Sequence, residues 1–315
     1  MRICLRNFVL MKKKSYHICL SSGDEVYCRS EEDYVYCFNC LALAVAATGS
    51  DLLAESIMST HVHECVRSTV PRDMIRQHRY AYSRYFNNKY YRSGRLGERY
   101  PFITEIDGLY HILAALSYVI RNALHHGVAA TPFGYRHSSA RAFFRKELGF
   151  DIHPELLEES QQYRHLPAHV RCPSSYKMDK SGLILRETVI DVPDVEHMFM
   201  TPRSYLYYMN RLSGEEWARE QEKDNLSVPP LTLADIEKGT TEKNIRQMLA
   251  NERGRSDYGV MSDIMLCELI DKEILPELGI ASVYVMSGSE KNALGNRLYS
   301  QYRLPESQIR RCLAM

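Results

Sequence analysis

A short segment near residue 60 places two histidines on one side of a predicted strand. Apolar and β-branched residues fill positions 52–58 and 60–67, which predicts two consecutive strands. Side chains alternate between the two faces of a strand, so His61 and His63 point the same way from neighbouring positions. Two imidazoles placed in this way can contact one ion. A sheet built on this strand therefore carries two-thirds of a three-ligand metal site on one face.

The elements on either side of this strand pair predict an α+β fold. Turn-forming Ser21-Ser22-Gly23-Asp24 closes a first strand, and Pro71 opens a helix at a position where proline is tolerated. Their order matches a ferredoxin-like or RRM-like antiparallel sheet with helices on one face. The predicted strands cover 14–20, 52–58, 60–67 and 100–106, and the predicted helices cover 31–48, 71–88 and 107–126.

The last of these predicted helices carries a tyrosine and an asparagine on one face. Tyr118 and Asn122 are four residues apart, so a single helix presents both side chains in the same direction. The phenol is a candidate nucleophile, and the amide oxygen is a candidate third metal ligand. Each feature alone is common, because strand histidines and helical tyrosines usually serve packing. Their significance depends on the motifs around them.

Several separated motifs resemble, in order, those of the single-tyrosine HUH transposases, and especially those of the REP-associated tyrosine transposases. The resemblance covers roughly residues 15–149, and ordered motifs arise by accident much less often than one motif. It implies the palm of HUH nucleases, with Tyr118 as the catalytic residue. It also implies that His61, His63 and Asn122 bind a metal. The matching residues are Leu53-Ala54-Glu55-Ser56-Ile57-Met58-Ser59-Thr60-His61-Val62-His63, Tyr85-Phe86-Asn87 with Arg92-Ser93-Gly94, Tyr118-Val119-Ile120-Arg121-Asn122, and Gly127-Val128 with Pro132, Tyr135 and Ser138-Ser139.

The chemistry implied by this resemblance is cleavage and rejoining of DNA. Two imidazoles and one amide oxygen leave coordination positions open on a divalent ion, which suits Mg²⁺ or Mn²⁺. By the resemblance, Tyr118 attacks the DNA strand, forms a 5′-phosphotyrosine and frees a 3′-hydroxyl. Reversal of this step on a new end transfers the strand. The expected protein is a metal-dependent single-strand DNA endonuclease and strand transferase of the transposase type.

Two positions depart from the pattern of the family. Glu64 and Cys65 follow the second histidine where apolar residues are usual, and Ala123 stands where proline often follows the asparagine. Glu64 should face away from the histidines, toward a side of the sheet that ordinarily takes apolar groups. Neither departure removes a ligand or the nucleophile, so an active enzyme is the leading hypothesis.

A basic, tyrosine-rich segment follows the strand pair. Eight cationic residues lie between positions 72 and 99, with Asp73 and Glu98 as the only acidic residues there. Cationic side chains neutralise phosphates and tyrosines stack on bases, so the segment predicts a surface for single-stranded or hairpin DNA. A solvated basic helix with core-facing aromatics is the alternative. The predicted DNA-binding residues are Arg72, Arg76, Arg79, Arg84, Lys89, Arg92, Arg95 and Arg99.

The length and composition limit the remaining choices. A chain of 315 residues is long enough for about two domains, and a net charge of +1 excludes a uniformly basic nucleic-acid coat. Nine irregularly spaced cysteines indicate reduced thiols, and the absence of a long apolar run predicts a cytoplasmic protein with no membrane partner. The expected organisation is a catalytic domain over 1–149, an irregular connection over 150–230, and a mainly helical region over 231–315, with a helix-turn-helix resemblance at 307–313.

Other functions remain open at this point. A catalytically inactive or domesticated descendant could keep the palm only for hairpin recognition. A metal-dependent hydrolase or oxygenase could use the two histidines with an unrelated carboxylate, and Tyr118 would then be dispensable. The sequence also leaves open whether the protein is a monomer or a homodimer.

Overall fold

A four-stranded antiparallel sheet organises the N-terminal half of the protein. The strands are β1 (Lys14–Ser21), β2 (Asp51–Ile57), β3 (His61–Ser68) and β4 (Phe102–Ile106). The computed structural model describes residues 12–213, 215–240, 245–252 and 261–315, and in it the strand order is β2-β3-β1-β4 with antiparallel neighbours. This topology confirms the predicted α+β fold with its antiparallel palm.

Helices cover both faces of the sheet, so the expectation of helices on one face only is wrong. Helices α1 (Glu31–Thr48) and α2 (Pro71–Lys89) pack together on one face, and α3 (Leu109–Ile120) lies on the other. Strand β3 shows the division, because His63 contacts Tyr118 of α3 while the next residue, Glu64, contacts His78 of α2. Because side chains alternate along a strand, these two neighbouring residues point to opposite faces of the sheet.

The partner of Glu64, which is not evident from the sequence, is His78. The Nδ1 atom of His78 lies 2.9 Å from Oε1 of Glu64, and both side chains are fully buried. Cys37 of α1 lies on the other side of this imidazole, with Sγ 3.6 Å from Nε2. A buried carboxylate is costly unless it is paired, so His78 explains how an acidic residue is accommodated on the apolar side of the sheet.

The helix predicted over 107–126 is interrupted, so the prediction of one continuous helix is wrong. Helix α3 ends at Ile120, and the short α4 (Asn122–His125) begins after Arg121, whose φ of −90° and ψ of 4° leave the helical region. The interruption coincides with a buried pairing of the Arg121 guanidinium with Glu252, at 3.4 Å. Tyr118 and Asn122 still share one side, because the Asn122 amide donates to the Tyr118 hydroxyl at 3.4 Å.

The described residues from position 231 onward are mainly helical, as predicted for the C-terminal region. A second apolar core forms among the last four helices and includes Val26 from the N-terminal half. The guanidinium of fully buried Arg29 connects the two parts by pairing with Asp271 at 2.7 Å. The further helices are α5 (Glu159–Gln162), α6 (Val192–Phe199), α7 (Pro202–Asn210), α8 (Glu215–Gln221), α9 (Leu233–Ile236), α10 (Ile245–Glu252), α11 (Asp263–Leu269), α12 (Leu275–Leu278), α13 (Gly288–Tyr302) and α14 (Glu306–Leu313).

Two global features concern the thiols and the membrane. Each cysteine in the part of the chain that the structure describes is a free thiol, in agreement with the expectation of reduced cysteines. No helix within the described ranges combines the length and the apolar character needed to cross a bilayer.

Candidate active site

Strand β3 and helices α3 and α4 bring together the four residues singled out from the sequence. Nε2 of His61 lies 3.1 Å from Oδ1 of Asn122. The rings of His61 and His63 are 5.0 Å apart, and the ring of Tyr118 stands edge-on to His63 at 5.3 Å. Two imidazoles, an amide and a phenol therefore meet on one face of the sheet.

A third histidine from β1 lies in the same cluster. Strand β1 pairs with β3 so that His17 is opposite Cys65, on the same face as His63. Nε2 of His17 is 2.9 Å from Nδ1 of His63, and the two rings are stacked. Burial lowers the pKa of His17 to about 3 and the pKa of His63 well below its ordinary value, so both imidazoles are neutral near pH 7. Nothing in its own segment of the sequence marks His17 for the site, although a ferredoxin-like sheet places β1 beside β3.

The donor set suits a divalent ion. Two donors that each lie about 2.1 Å from one ion are roughly 3 to 4 Å apart, as Nε2 of His61 and Oδ1 of Asn122 are. The buried Nε2 of His63 has no hydrogen-bond partner within the described residues, which is typical of a ligating atom. No group of three or more His, Cys, Asp and Glu side chains in those residues has a metal-holding arrangement. A metal here therefore depends on the amide oxygen of Asn122.

The other side of Tyr118 packs against His125. Their rings are stacked with centroids 4.7 Å apart and planes inclined by 13°. Nδ1 of His125 lies 2.8 Å from Oε1 of Glu252, and burial lowers the pKa of this imidazole to about 4 in spite of that carboxylate. No local pattern in the sequence marks His125 for a role, because Glu252 follows it by more than a hundred residues.

A turn from the C-terminal half lies over the histidines. The carboxylate of Glu237 approaches Nε2 of His126 at 3.7 Å and Nε2 of His63 at 3.9 Å, and its other oxygen accepts from Thr240 at 2.5 Å. Gly239 permits this approach, since a Cβ there would lie 2.6 Å from Cys19 and 2.8 Å from Phe102. With this cover in place, Tyr118 is 1 % exposed.

The predicted DNA-binding residues lie elsewhere, on α2 and the segment that leads to β4. A groove of about 490 Å³ beside the edge strand β4 is lined by five of the eight, together with Tyr80 and Ile103. Because α2 and α3 cover opposite faces of the sheet, this groove and the histidine cluster are on different sides of the molecule. The five are Arg72, Arg76, Arg79, Arg84 and Arg95.

The remaining predicted cations are partly engaged within the protein. The ammonium of Lys89 donates to Asp33 and Glu32, each at 2.7 Å. The guanidinium of Arg92 pairs with Glu25, and that of Arg99 lies 5.2 Å from the ring centre of Tyr100. The structure therefore brings together the arginines of α2 and Arg95, and leaves Lys89, Arg92 and Arg99 outside the groove.

No protein-family model and no curated protein matches the chain. One similar solved structure is that of a REP-associated tyrosine transposase bound to a REP hairpin. The two chains are 11 % identical, the match covers 46 % of this chain and 84 % of the other, and the TM-score is 0.34. A likeness of this size carries no conclusion about activity.

Proposed function

We propose that the protein cleaves and rejoins single-stranded, hairpin-forming DNA through a covalent link to Tyr118. The observation that supports this proposal is the meeting of a phenol, an amide and two imidazoles on one sheet face. A packing role for the tyrosine would not require His61, His63 and Asn122 around it. The ordered sequence motifs that resemble single-tyrosine HUH transposases support the same chemistry.

The proposed reaction is a reversible exchange of phosphoester bonds. The phenolic oxygen of Tyr118 attacks a backbone phosphorus, so an O–P bond to the tyrosine forms and the bond from phosphorus to the 3′-oxygen breaks. The phenol loses its proton and the departing 3′-oxygen gains one, which leaves a 5′-phosphotyrosine and a 3′-hydroxyl. Attack by another 3′-hydroxyl reverses the exchange and joins a new end, with no net consumption of phosphodiester bonds.

His61, His63 and Asn122 are the residues that would hold a divalent ion, with Mg²⁺ or Mn²⁺ as the expected species. When bound, such an ion supplies Lewis-acid stabilisation of charge on the scissile phosphate. The protein's own contribution is orientation. Nδ1 of His63 is fixed by His17 and Nδ1 of His61 faces the Thr60 hydroxyl at 3.0 Å, so both Nε2 atoms are directed away from the strand.

The arginine groove beside β4 is the proposed site for the DNA backbone. Five guanidinium groups can neutralise several phosphates, and Tyr80 provides an exposed ring on which a base can stack. A strand bound there has to pass around the edge of β4 to reach the opposite face. The turn Glu237–Gly239 must also move away from His63 before a phosphate can approach Tyr118.

The test is covalent capture of labelled hairpin DNA with Mn²⁺ or Mg²⁺, followed by denaturing electrophoresis. The wild type should form a protein–DNA adduct that EDTA prevents. Tyr118→Phe, which removes only the phenolic oxygen, should form none while it binds DNA normally. Tyr110→Phe is the matched control, because this tyrosine lies on the same helix, outside the cluster, and its variant should form the adduct. An adduct with Tyr118→Phe would refute the assignment of the nucleophile.

The burial of Tyr118 favours a second candidate, a recognition module that retains the palm without cleaving DNA. In that case the wild type binds hairpin DNA with an affinity that depends on salt, yet no adduct forms with either metal. The same experiment distinguishes the two, since binding is measured beside capture. Binding without capture supports recognition alone, and capture that depends on Tyr118 supports the strand transferase.

A further inference from the structure

The N-terminus of the Tyr118 helix is capped by a carboxylate from the C-terminal half. Helix α3 has Gly108 at its N-cap and no acidic residue in its first turn. Asp224 supplies the missing acceptor: its carboxylate accepts from the backbone N–H groups of Tyr110 at 3.1 Å and His111 at 2.9 Å. It also lies 2.9 Å from Nδ1 of His111, and these hydrogen bonds lower the pKa of Asp224 although burial opposes them. Negative charge at this end of a helix is stabilising.

Glycine is required where Asp224 meets the helix. Gly108 has a φ of 87°, and a Cβ at this position would lie 2.4 Å from Oδ2 of Asp224. The carboxylate therefore occupies the space that a side chain on the N-cap residue would fill. The helix depends on a distant residue for the cap that its own sequence does not provide.

A second carboxylate holds the other end of the helix. Glu252 lies 2.8 Å from Nδ1 of His125 and 3.4 Å from the Arg121 guanidinium, at the junction of α3 and α4. Ser213 fixes this carboxylate by donating from its backbone N–H at 2.9 Å and from its hydroxyl at 2.7 Å. His125, held in this way, stacks on the ring of Tyr118. The pKa of Glu252 falls to about 2, although burial opposes the shift, because His125 and Arg121 favour its charged form.

We propose that Asp224 and Glu252 are positioning residues that fix the Tyr118 helix at both ends against the histidine-bearing strand. Asp224 acts through the first turn of α3, and Glu252 acts through Arg121 and His125. The C-terminal half thereby helps to set the distance between the phenol and the histidine cluster, together with the packing of α3 on β2 and β3. This inference rests on the proposed function, because it concerns the placement of its nucleophile.

The rate of attack depends on how precisely the Tyr118 phenol is placed. Attack on phosphorus requires the nucleophile within about 0.5 Å of its productive position, and an error of about 1 Å costs on the order of 100-fold in rate. Removing one carboxylate releases one end of a helix, so the phenol samples positions from which it cannot attack. DNA bound in the arginine groove contacts neither carboxylate, so its affinity should be unaffected.

The experiment compares Asp224→Ala, Asp224→Asn and Glu252→Gln with the wild type in single-turnover adduct formation at saturating hairpin DNA. The rate should fall about 10- to 100-fold for Asp224→Ala and Glu252→Gln. It should fall less for Asp224→Asn, which keeps one acceptor oxygen for the helix N–H groups. The dissociation constant for DNA should stay within about twofold of the wild-type value, since affinity depends on the groove.

Asp271→Asn is the matched control. It removes an acidic partner of the buried Arg29, again between the C-terminal half and the palm, but it leaves α3 untouched. Its adduct rate should stay near that of the wild type at temperatures well below unfolding. If every variant, Asp271→Asn included, loses adduct rate in proportion to its lost stability, the two carboxylates affect stability alone and the inference is overturned. A wild type that binds DNA without any adduct would instead overturn the proposed function, and the inference with it.

Discussion

The two faces of strand β3 bury ionisable side chains in different ways. On the α1 and α2 face, Glu64 meets one dedicated partner, the imidazole of His78, at 2.9 Å. On the α3 face, the two histidines of β3 lie in a cluster with further imidazoles, an amide and a phenol, and Nε2 of His63 has no hydrogen-bond partner among the described residues. Residues that are adjacent in sequence thus lie in unlike environments.

The difference separates a structural pair from a candidate reactive cluster. The pair of Glu64 and His78 is a single buried contact, in which Oε2 of Glu64 also lacks a hydrogen-bond partner within the described residues, and its removal should chiefly affect stability. A cluster of convergent nitrogen and oxygen donors with an unsatisfied member costs stability unless it has another use. The two faces therefore predict opposite responses to mutation.

His63→Ala should have the largest effect on activity. Removal of a candidate ligand should lower the rate of adduct formation by at least about 100-fold, since even loss of groups that only orient ligands commonly costs 10- to 100-fold. The rate is measured with Mn²⁺ at saturating hairpin DNA. Addition of Mn²⁺ should raise the melting temperature of the wild type and leave that of the variant unchanged. Normal adduct formation by this variant would place the reactive cluster elsewhere.

His78→Ala, on the opposite face, should affect stability instead. It leaves the fully buried Glu64 carboxylate without its imidazole, which should lower the free energy of unfolding by about 3 kcal/mol. Urea denaturation measures the loss. A double replacement, Glu64→Leu with His78→Leu, removes both polar partners and should recover much of it. The comparison between the faces fails if His78→Ala folds stably but forms no adduct below its melting temperature.

The pH dependence of stability should come from the α3 face. Burial lowers the pKa of His17 to about 3 and that of His125 to about 4, whereas an unfolded histidine titrates near 6.5. Because the unfolded chain binds the additional protons, this contribution to stability is complete above about pH 6.5 and is lost as the pH falls from there toward 4. For these two residues the loss between pH 7 and pH 5.5 should be about 2.5 kcal/mol, and His63, whose pKa is also lowered by burial, should add to it.

Urea titrations at several pH values measure this loss. The replacement His17→Asn should remove about a third of the slope between pH 7 and pH 5.5, because the pKa values of His17, His63 and His125 are all lowered. A slope that is unchanged in this variant would show that His17 is not held neutral in the folded protein.

Local patterns predict the strands, the helices and the central residues of the site. Alternation along β3 places His61 beside His63, and four-residue spacing places Tyr118 beside Asn122. Both rules relate residues that are only two to four positions apart in the sequence. Helix α1 has the bounds expected from its pattern. The interruption at Arg121 has no such local signal, and the partner of its guanidinium, Glu252, is far away in the chain.

The groups that orient and cover the site give no local signal. Asp224 is 113 residues from His111, and Glu237 and Glu252 come from the same distant part of the chain. Acidic residues are common there, and nothing in their spacing distinguishes the ones that return to the palm. His17 is the exception, because the strand order expected of a ferredoxin-like sheet already places β1 next to β3.

The smallest effect is expected from the arginine groove, which should influence affinity and leave the chemistry intact. The double variant Arg76→Gln with Arg84→Gln should weaken binding of hairpin DNA by about 10-fold at low salt, because two phosphates lose their cationic partners. The slope of the logarithm of the binding constant against the logarithm of salt concentration should fall by about one for each arginine removed. The adduct rate at saturating DNA should be unchanged.

Lys272→Gln is the control for this variant, since Lys272 lies in the C-terminal helices and pairs with Glu268 at 2.8 Å. Its salt slope should match that of the wild type. A groove variant that binds normally but forms the adduct slowly would reverse the assignment, because it would place chemistry on the α2 face. An unchanged salt slope in both variants would show that the groove arginines do not contact phosphates, and recognition would then have to occur on the α3 face, beside the histidine cluster.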